Sequence, residues 1–565
     1  MKFIAQEKIL KGWSDDQKYC VTDEAGVKYL LRVSDIKKAD EKKAEFCMME
    51  RVAALGVPMC KPLEFGIGDE GVYSLQSWID GEDAEDVIPS LFESAQYAYG
   101  LEAGRILKKI HSIPAPAKQE DWESRFNRKM NYKIQKYIEC PIKHENGQAF
   151  IDYINENRHL LKNRPQVYQH GDYHIGNMMI DKSGKLQIID FNRNDYGDPW
   201  EEFNRIVWCA QKAPIFASGM VNGYFDDQVP MEFWRLLALY ISSNTLSSVY
   251  WAIPFGQAEV DTMLKQGRDI LSWYDNMKNP VPTWYCKEYC LQYVDGIPFK
   301  MKREFDFGFL KEYGTVFKVF DDQDSGNICF GTEKDGQRYF LKFAGALTER
   351  YAGDPEDAVE RLRATVPIYR DLRHESLIEL LETKEVGGGF LMVFRWARGD
   401  CMGRTYPASH KRFMALPRED RLAVFRSVAD FFALVAEKNY VAVDFYDGSI
   451  LYDFTTGKTT VCDVDLFAKQ PFLNPMERLW GSSSFQAPEE FCKGAVIDEI
   501  TNVYTLGATA FALFGGYERT REAWELSEEL FEVAVKAVSA ERSLRQQSIE
   551  QFREEWEKAI SVENR

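Results

Sequence analysis

The stretch VYQHGDYHIGNMMIDKSGKLQIIDFNRNDYGDPWEEF, residues 167–203, decides how this chain is read. Asp172 is followed by Asn177 five residues on, and by Asp190 thirteen after that. Between Asn177 and Asp190 run MMID, KSG and KLQIID: an apolar run, a turn and a second apolar run. That pattern predicts a strand–turn–strand hairpin. A hairpin brings Asn177 and Asp190 to neighbouring strand ends. There an amide oxygen and a carboxylate can hold Mg2+, which prefers hard oxygen ligands and binds substrate phosphates as well. Asp172, on the preceding loop, is placed to orient a hydroxyl and accept its proton. Positioning, charge neutralisation and an oriented nucleophile are what phosphoryl transfer needs.

Upstream, KYCVTD and GVKYLLRVS alternate in strand fashion about a turn at 23–26. A charged helical run over 35–55 stops at Gly56, with Pro58 just beyond. Strand-like runs at 63–66 and 71–79 follow, and then a helical pattern over 91–113. A small sheet with one helix, leading into a helical lobe, is the order of a kinase-like fold. With H-G-D-x-x-x-x-N, then an apolar run ending in Asp190, then G-D-P, most of 1–275 resembles the aminoglycoside phosphotransferase family. The resemblance implies Asp172 as catalytic base, Asn177 and Asp190 as metal ligands, and ATP or GTP as donor. His170 reads as structural, His174 as a loop or cleft-wall residue, and Asp198 as a helix cap. Arg32, in YLLRVS, stands where the family has its sheet lysine. It stays charged and can contact phosphates in a fork, but is not equivalent to lysine. Glu45 is the candidate to pair with it, against a solvated face with Glu41 and Glu50. No GxGxxG precedes that strand, so any phosphate loop would use backbone N–H groups of residues 14–17. The acceptor is a small hydroxylated compound. Asp195, Glu201 and Glu202 could attract a cationic one, although acidic residues also suit a helix start.

Near 277–283 the text MKNPVPT breaks the helical pattern and the same order restarts. The expected domains are therefore 1–280 and 281–565. In the second half, RWARG echoes SWIDG of the first, and AVDFYDGSILYDFTTGKTTVCDVDLF (442–467) is a second copy of the chemical stretch. It resembles a divergent serine/threonine protein kinase. Asp444 stands at the catalytic aspartate, Ser449 at the metal-binding asparagine, Asp463 at the second metal aspartate and Lys342 at the sheet lysine. GSSSFQAPEE and TNVYTLGATAFALF resemble the activation-segment end and the helix after it. Departures are Ala442 and Val443 for His-Arg, Ser449 for Asn, Thr365 where a helix glutamate is expected, and Asn502 for Asp. Three aspartates (Asp321, Asp322, Asp324) occupy the phosphate loop and should repel a triphosphate unless a cation intervenes. Asp465 or Asp447 could supply the missing metal oxygen and leave an active kinase with a protein substrate. Otherwise the domain is a regulatory pseudokinase.

The fold class expected is α+β, as two tandem bilobal kinase-like domains. Net charge is −18, and both halves are acidic: 34 Lys+Arg against 41 Asp+Glu over 1–280, and 36 against 47 over 281–565. Nucleic-acid binding, which needs a basic stripe, is not expected. The apolar run at 236–255 is broken by serines and reads as a buried helix, so no membrane span is expected. The 11 cysteines form no framework and point to reduced, mostly buried thiols in a cytoplasmic setting. Cys286 and Cys290 are spaced for one helix face. Three functions follow: a small-molecule kinase working through Asp172, a protein kinase working through Asp444 with the first domain as sensor, or a nucleotide-binding scaffold.

Overall fold

The computed structural model describes residues 2–10, 16–68, 71–287 and 289–563. The expectation for residues 14 and 15 of the phosphate loop lies outside them. The chain divides into two compact units, Met1–Leu291 and Gln292–Arg565. Each mixes antiparallel sheets with helices.

The first unit opens with β1 (Phe3–Ile9), β2 (Gln17–Asp23), β3 (Lys28–Ser34), α1 (Ala39–Ala54), β4 (Pro62–Gly68) and β5 (Gly71–Ser77), with sheet order β1-β2-β3-β5-β4. The β2–β3 turn is set by Asp23, whose carboxylate accepts the N–H groups of Ala25 and Val27, both at 2.9 Å. Phe46, Met49 and Val52 share the buried face of α1, at the 3–4-residue spacing of one helix stripe. In register, Arg32 lies between Lys18 on β2 and Ser74 on β5.

A helical part follows. Helix Glu93–Ile110 packs on Pro214–Phe225 at very short range. A Cβ on Gly100 would meet the Phe216 carbonyl oxygen at 2.2 Å, and one on Gly104 that of Met220 at 2.1 Å. Helix Met231–Ala252 is largely buried. Its Ser242 and Thr245 hydroxyls donate to the carbonyls of Ala238 and Ile241, which is how they tolerate the core. Among the described residues no helix is long and apolar enough to cross a membrane.

The second unit repeats the strand order. Its sheet runs Thr315–Phe320, Asn327–Lys334, Gln337–Ala344, Gly389–Arg395, Leu380–Val386 in space, and helix Pro355–Asp371 interrupts the chain where α1 does in the first. Later parallels hold too. Strands Met178–Asp181 and Leu186–Ile188 pair with Ile180 opposite Leu186, and Ile450–Tyr452 and Thr459–Val461 pair with Ile450 opposite Val461. In each hairpin the first strand also takes a short strand, which begins at the glycine of SWIDG in one unit and just after RWARG in the other: Gly81–Asp83 and Asp400–Cys401. The C-terminal helices Glu528–Ala537 and Ile549–Glu563 complete the second core, with Phe552 and Trp556 buried in it.

Two expectations about cysteine need correction. Cys286 and Cys290 share no helix: Cys286 is in irregular chain after Pro280 and Pro282, and Cys290 opens strand Cys290–Val294. All 11 thiols are free, but only Cys60, Cys140, Cys209 and Cys329 are buried, since most of the others lie on strands or loops with one side open.

Candidate active site

In the first unit Asp190 sits at the hairpin's end with φ 65°, a left-handed conformation that Asp tolerates better than most residues. The Ile189 N–H donates to the Asn177 carbonyl at 3.1 Å, which sets Asn177 beside Asp190. The Asn177 amide nitrogen donates to the Asp172 backbone carbonyl at 2.8 Å, tying all three positions together. Asn177 Oδ1 and the second Asp190 oxygen take no hydrogen bond among the described residues.

The loop bearing Asp172 is pinned from below. Gly171 has φ 85°, and a Cβ there would lie 1.8 Å from the Arg193 carbonyl oxygen, so only glycine fits. His170 is fully buried; its Nδ1 accepts the Asp172 N–H at 3.3 Å, which makes Nε2 the donor to the Ile189 carbonyl at 3.0 Å. Burial holds its pKa below that of a free imidazole. Glu202 is buried, and its carboxylate accepts the N–H groups of Gly171 at 3.0 and 3.1 Å and of Tyr173 at 3.3 Å. Asp198 caps Trp200 N–H at 3.0 Å and is also held by Arg164 at 2.6 and 3.0 Å.

Around the Asp172 carboxylate stand Arg205 Nε at 3.2 Å, His174 Nε2 at 3.7 Å and Arg193 at 3.8 Å. Burial alone would raise its pKa, but His174 and the two arginine charges outweigh it and hold Asp172 well below the ordinary carboxylate range. The three acids expected to attract a cation are already occupied. Arg125 holds Asp195, Lys129 lies 3.3 Å from Glu201, and Glu202 is under the loop.

Arg32 is buried and spans two carboxylates at 2.9 Å each, NH1 to Asp190 and NH2 to Asp16. Both ends of its fork are thus used within the protein. Glu45 does not bond Arg32. Lys42 intervenes, reaching Asp16 at 2.9 Å and Glu45 at 3.0 Å, because Glu45 and Lys42 share a helix face one turn apart. Burial would raise Asp16, but Ser34, Lys42 and Arg32 bring it down to about 2. Arg32→Lys can reach one of these carboxylates at a time, so it should weaken nucleotide binding by about tenfold, read by titration calorimetry.

Residues 5–234 match the model of the phosphotransferase enzyme family, APH. The match falls within the first unit. No curated protein matches the chain. Among solved structures, a thermostable mutant of aminoglycoside phosphotransferase APH(4)-Ia in ternary complex with ADP and hygromycin B is 15% identical, with 48% of this chain and 94% of that one covered and a TM-score of 0.36. The apo form of a thermostable mutant of the same enzyme is 16% identical at the same coverage and TM-score.

Beyond the residues that match the family model, the second unit builds a similar constellation. The Cys462 N–H donates to the Ser449 carbonyl at 2.9 Å, as Ile189 does to Asn177. Asp463 and Asp444 both have positive φ, 58° and 62°. Ser449 is buried and its hydroxyl has no hydrogen-bond partner. Lys342 is held by Asp465 at 2.5 Å and Asp463 at 3.3 Å, and Tyr369 donates to the other Asp465 oxygen at 2.7 Å. Asp465 therefore serves the lysine where a helix glutamate is missing; Thr365 points into the core instead, onto Leu362 and Met392. Asp447 is buried and bonded by Tyr517 and the Arg404 N–H. Both Asp465 oxygens are thus engaged, whereas both bonds to Asp447 fall on one of its oxygens. In the loop expected to hold phosphate, Asp321 accepts the Lys300 N–H at 2.7 Å and Asp322 pairs with Arg350 at 2.5 Å. Asn502 accepts the Ala442 N–H at 2.8 Å and donates to the Tyr440 carbonyl at 2.9 Å, the loop-pinning task that Glu202 has in the first unit.

The electrostatics of the two units are opposite. Among the described residues no cation pairs with Asp444. Burial first, then Asp463 and Asp324, push it up to about 6. A pKa raised above the unfolded value of about 3.9 means that protonated Asp444 favours the fold: this contribution is complete below about pH 4 and is lost as pH rises through about 6. Asp444→Asn should therefore stabilise the second unit by roughly 2–3 kcal/mol at pH 8 and by little at pH 4, measured by urea unfolding at both.

Proposed function

We propose that the first unit transfers the terminal phosphoryl group of ATP or GTP to a hydroxyl of a small molecule. The observation that carries this reading is the tie of Asp172, Asn177 and Asp190 into one cluster, with Arg32 anchoring Asp190. Asp172 orients the acceptor hydroxyl and takes its proton. Arg32 acts by positioning Asp190, with Asp16, Lys42 and Glu45 as its buried support. Asn177 and Asp190 suit Mg2+: they present two free hard oxygens, and among the described residues no cluster of three His, Cys, Asp or Glu could hold a metal unaided. Nucleotide phosphates would complete such a site. Bound there, Mg2+ would neutralise charge on the transferring group.

The second unit we read as kinase-like and accessory. Its repeated sheet order supports the fold, and the buried Glu489 of its A-P-E segment, bonded to Arg545, supports it further. Asp463 and Ser449 would be its metal ligands, a weaker pair than Asn and Asp. A protein kinase acting through Asp444 is the competing reading, favoured by the retained Lys342.

The test is Mg2+-dependent nucleotide turnover by the full chain, with a panel of hydroxylated compounds. Turnover that an acceptor stimulates, that Asp172→Ala removes and that Asp444→Ala leaves in place supports the proposal. Loss on Asp444→Ala alone, with labelled phosphate on protein, gives the activity to the second unit.

A further inference from the structure

Helix Trp122–Glu139 presents Arg125, Lys129 and Lys133 at four-residue intervals, on one face. The first two mark what that face meets. Arg125 donates to the Tyr196 carbonyl at 2.6 Å and pairs with Asp195, and Lys129 reaches Glu201 at 3.3 Å. The face thus runs along the segment that leads from the site to Arg205. Lys133, next in the row, has no hydrogen-bond or ion-pair partner among the described residues. It is half-buried, and its surroundings include Lys129, Glu201 and Arg205. Burial, then Lys129 and Arg205, bring its ammonium down to about 7 against the pull of Glu201. An unpartnered, half-buried ammonium that feels two further cations is a site short of an anion.

The local charges do not balance. Arg125 cancels Asp195, and Lys129 cancels Glu201. What remains is Asp172 against Arg193 and Arg205, with Lys133 close enough to Arg205 to feel its charge. Arg205 uses Nε on Asp172, and its two terminal nitrogens have no partner among the described residues. A guanidinium with a free edge and a neighbouring ammonium form a receptor for a carboxylate or a phosphate.

We infer that the acceptor carries an anionic group, carboxylate or phosphate, beside the hydroxyl it presents to Asp172, and that Lys133 with Arg205 and Arg193 binds that group. The inference rests on the phosphotransferase reading of the first unit. It also answers a difficulty in that reading. A carboxylate clamped by two arginines is a poor proton acceptor. An anion that draws Arg205 toward itself returns proton affinity to Asp172 when acceptor is bound.

The experiment is calorimetry on the full chain in two stages: Mg·AMP-PNP first, then an anion probe at saturating nucleotide, with inorganic phosphate in one arm and acetate in the other. Saturating nucleotide fills the donor-phosphate positions, so further anion binding reports the acceptor side. One of the two probes should bind the loaded protein, and the tighter one names the anion. Lys133→Met should weaken it by about tenfold or more, while Lys133→Arg restores it and nucleotide affinity stays unchanged in both. Equal melting temperatures show that the variants are folded. Absence of anion binding to the loaded wild type, or equal binding by Lys133→Met, overturns the inference. So does a matching loss of nucleotide affinity in Lys133→Met, which would give these cations to the donor phosphates. A wild type that binds no nucleotide instead sinks the phosphotransferase reading, and the inference with it.

Discussion

Asp172→Ala is expected to lower acceptor-stimulated nucleotide turnover by about 10²–10⁴-fold, the range for losing a positioned acid–base group. The loss should fall on kcat, with nucleotide affinity little changed. That split follows from how the loop is built. Its shape is set by Gly171, by the buried His170 and by the Glu202 carboxylate under two backbone N–H groups, none of which needs the Asp172 side chain. The Asn177 amide bonds the backbone of residue 172, so alanine keeps that tie as well. Glu202→Ala should behave differently. It leaves the Gly171 and Tyr173 N–H groups buried and unpaired, at about 1–3 kcal/mol each, and should reduce both stability and nucleotide binding. pH gives a separate check. With its pKa depressed below the unfolded value, ionised Asp172 contributes stability fully above about pH 4, and this is lost only as pH falls further. An acid limb near pH 6 in the kcat/KM profile, which reports the free enzyme, would therefore belong to another group. Turnover within tenfold of wild type in Asp172→Ala would remove the residue from the chemistry.

Much of this was legible in the chain. The strand order of the first sheet follows from alternation and turn chemistry, and the hairpin between Asn177 and Asp190 from two apolar runs about KSG. The restart of that order after residue 283 foretold the second sheet. What stayed hidden were partnerships without local spacing. Glu45 looked like the partner of Arg32 because kinase-like sheets pair a lysine with a helix glutamate. Here Asp16, from the β1–β2 connection, makes the hydrogen bond, while Glu45 bonds Lys42 and acts on Arg32 through its charge alone. Strand β1 carries FIAQEKI, too polar and too exposed to announce itself as a strand. Glu202 resembled any acid at a helix start, since nothing in the text says that the loop 31 residues earlier folds back onto it. Asp465 was weighed as a metal oxygen, and its true neighbours, Lys342 and Tyr369, lie on elements about 100 residues away.

The same blindness concealed Arg545, whose replacement by alanine is expected to destabilise the second unit by about 3–5 kcal/mol. It is the largest fully buried side chain among the described residues. Its two terminal nitrogens bond the two Glu489 oxygens at 2.7 and 2.9 Å, its Nε donates to the Ser539 carbonyl at 2.7 Å, and its guanidinium lies 4.9 Å from the Tyr504 ring. Burial opposes the charge on Glu489, yet Arg545 and Arg542 keep its pKa below normal, so the carboxylate is ionised in place. Removing Arg545 leaves that charge inside with the part-exposed Arg542 at 2.6 Å and the Thr501 hydroxyl at 3.0 Å to answer it. Glu489→Ala should cost at least as much, because the guanidinium it strands cannot lose its proton. Replacing both by apolar residues of similar size should cost less than either single change, since the expense lies in an unanswered buried charge and not in a missing bond. Hydrogen–deuterium exchange of peptides from helix Glu499–Phe514 reads this within the second unit alone. Protection there should fall by about 10²–10³-fold in either single variant. A fall of under about fivefold, worth about 1 kcal/mol, would mean that water reaches the pair and that the A-P-E segment is held by its capping contacts instead.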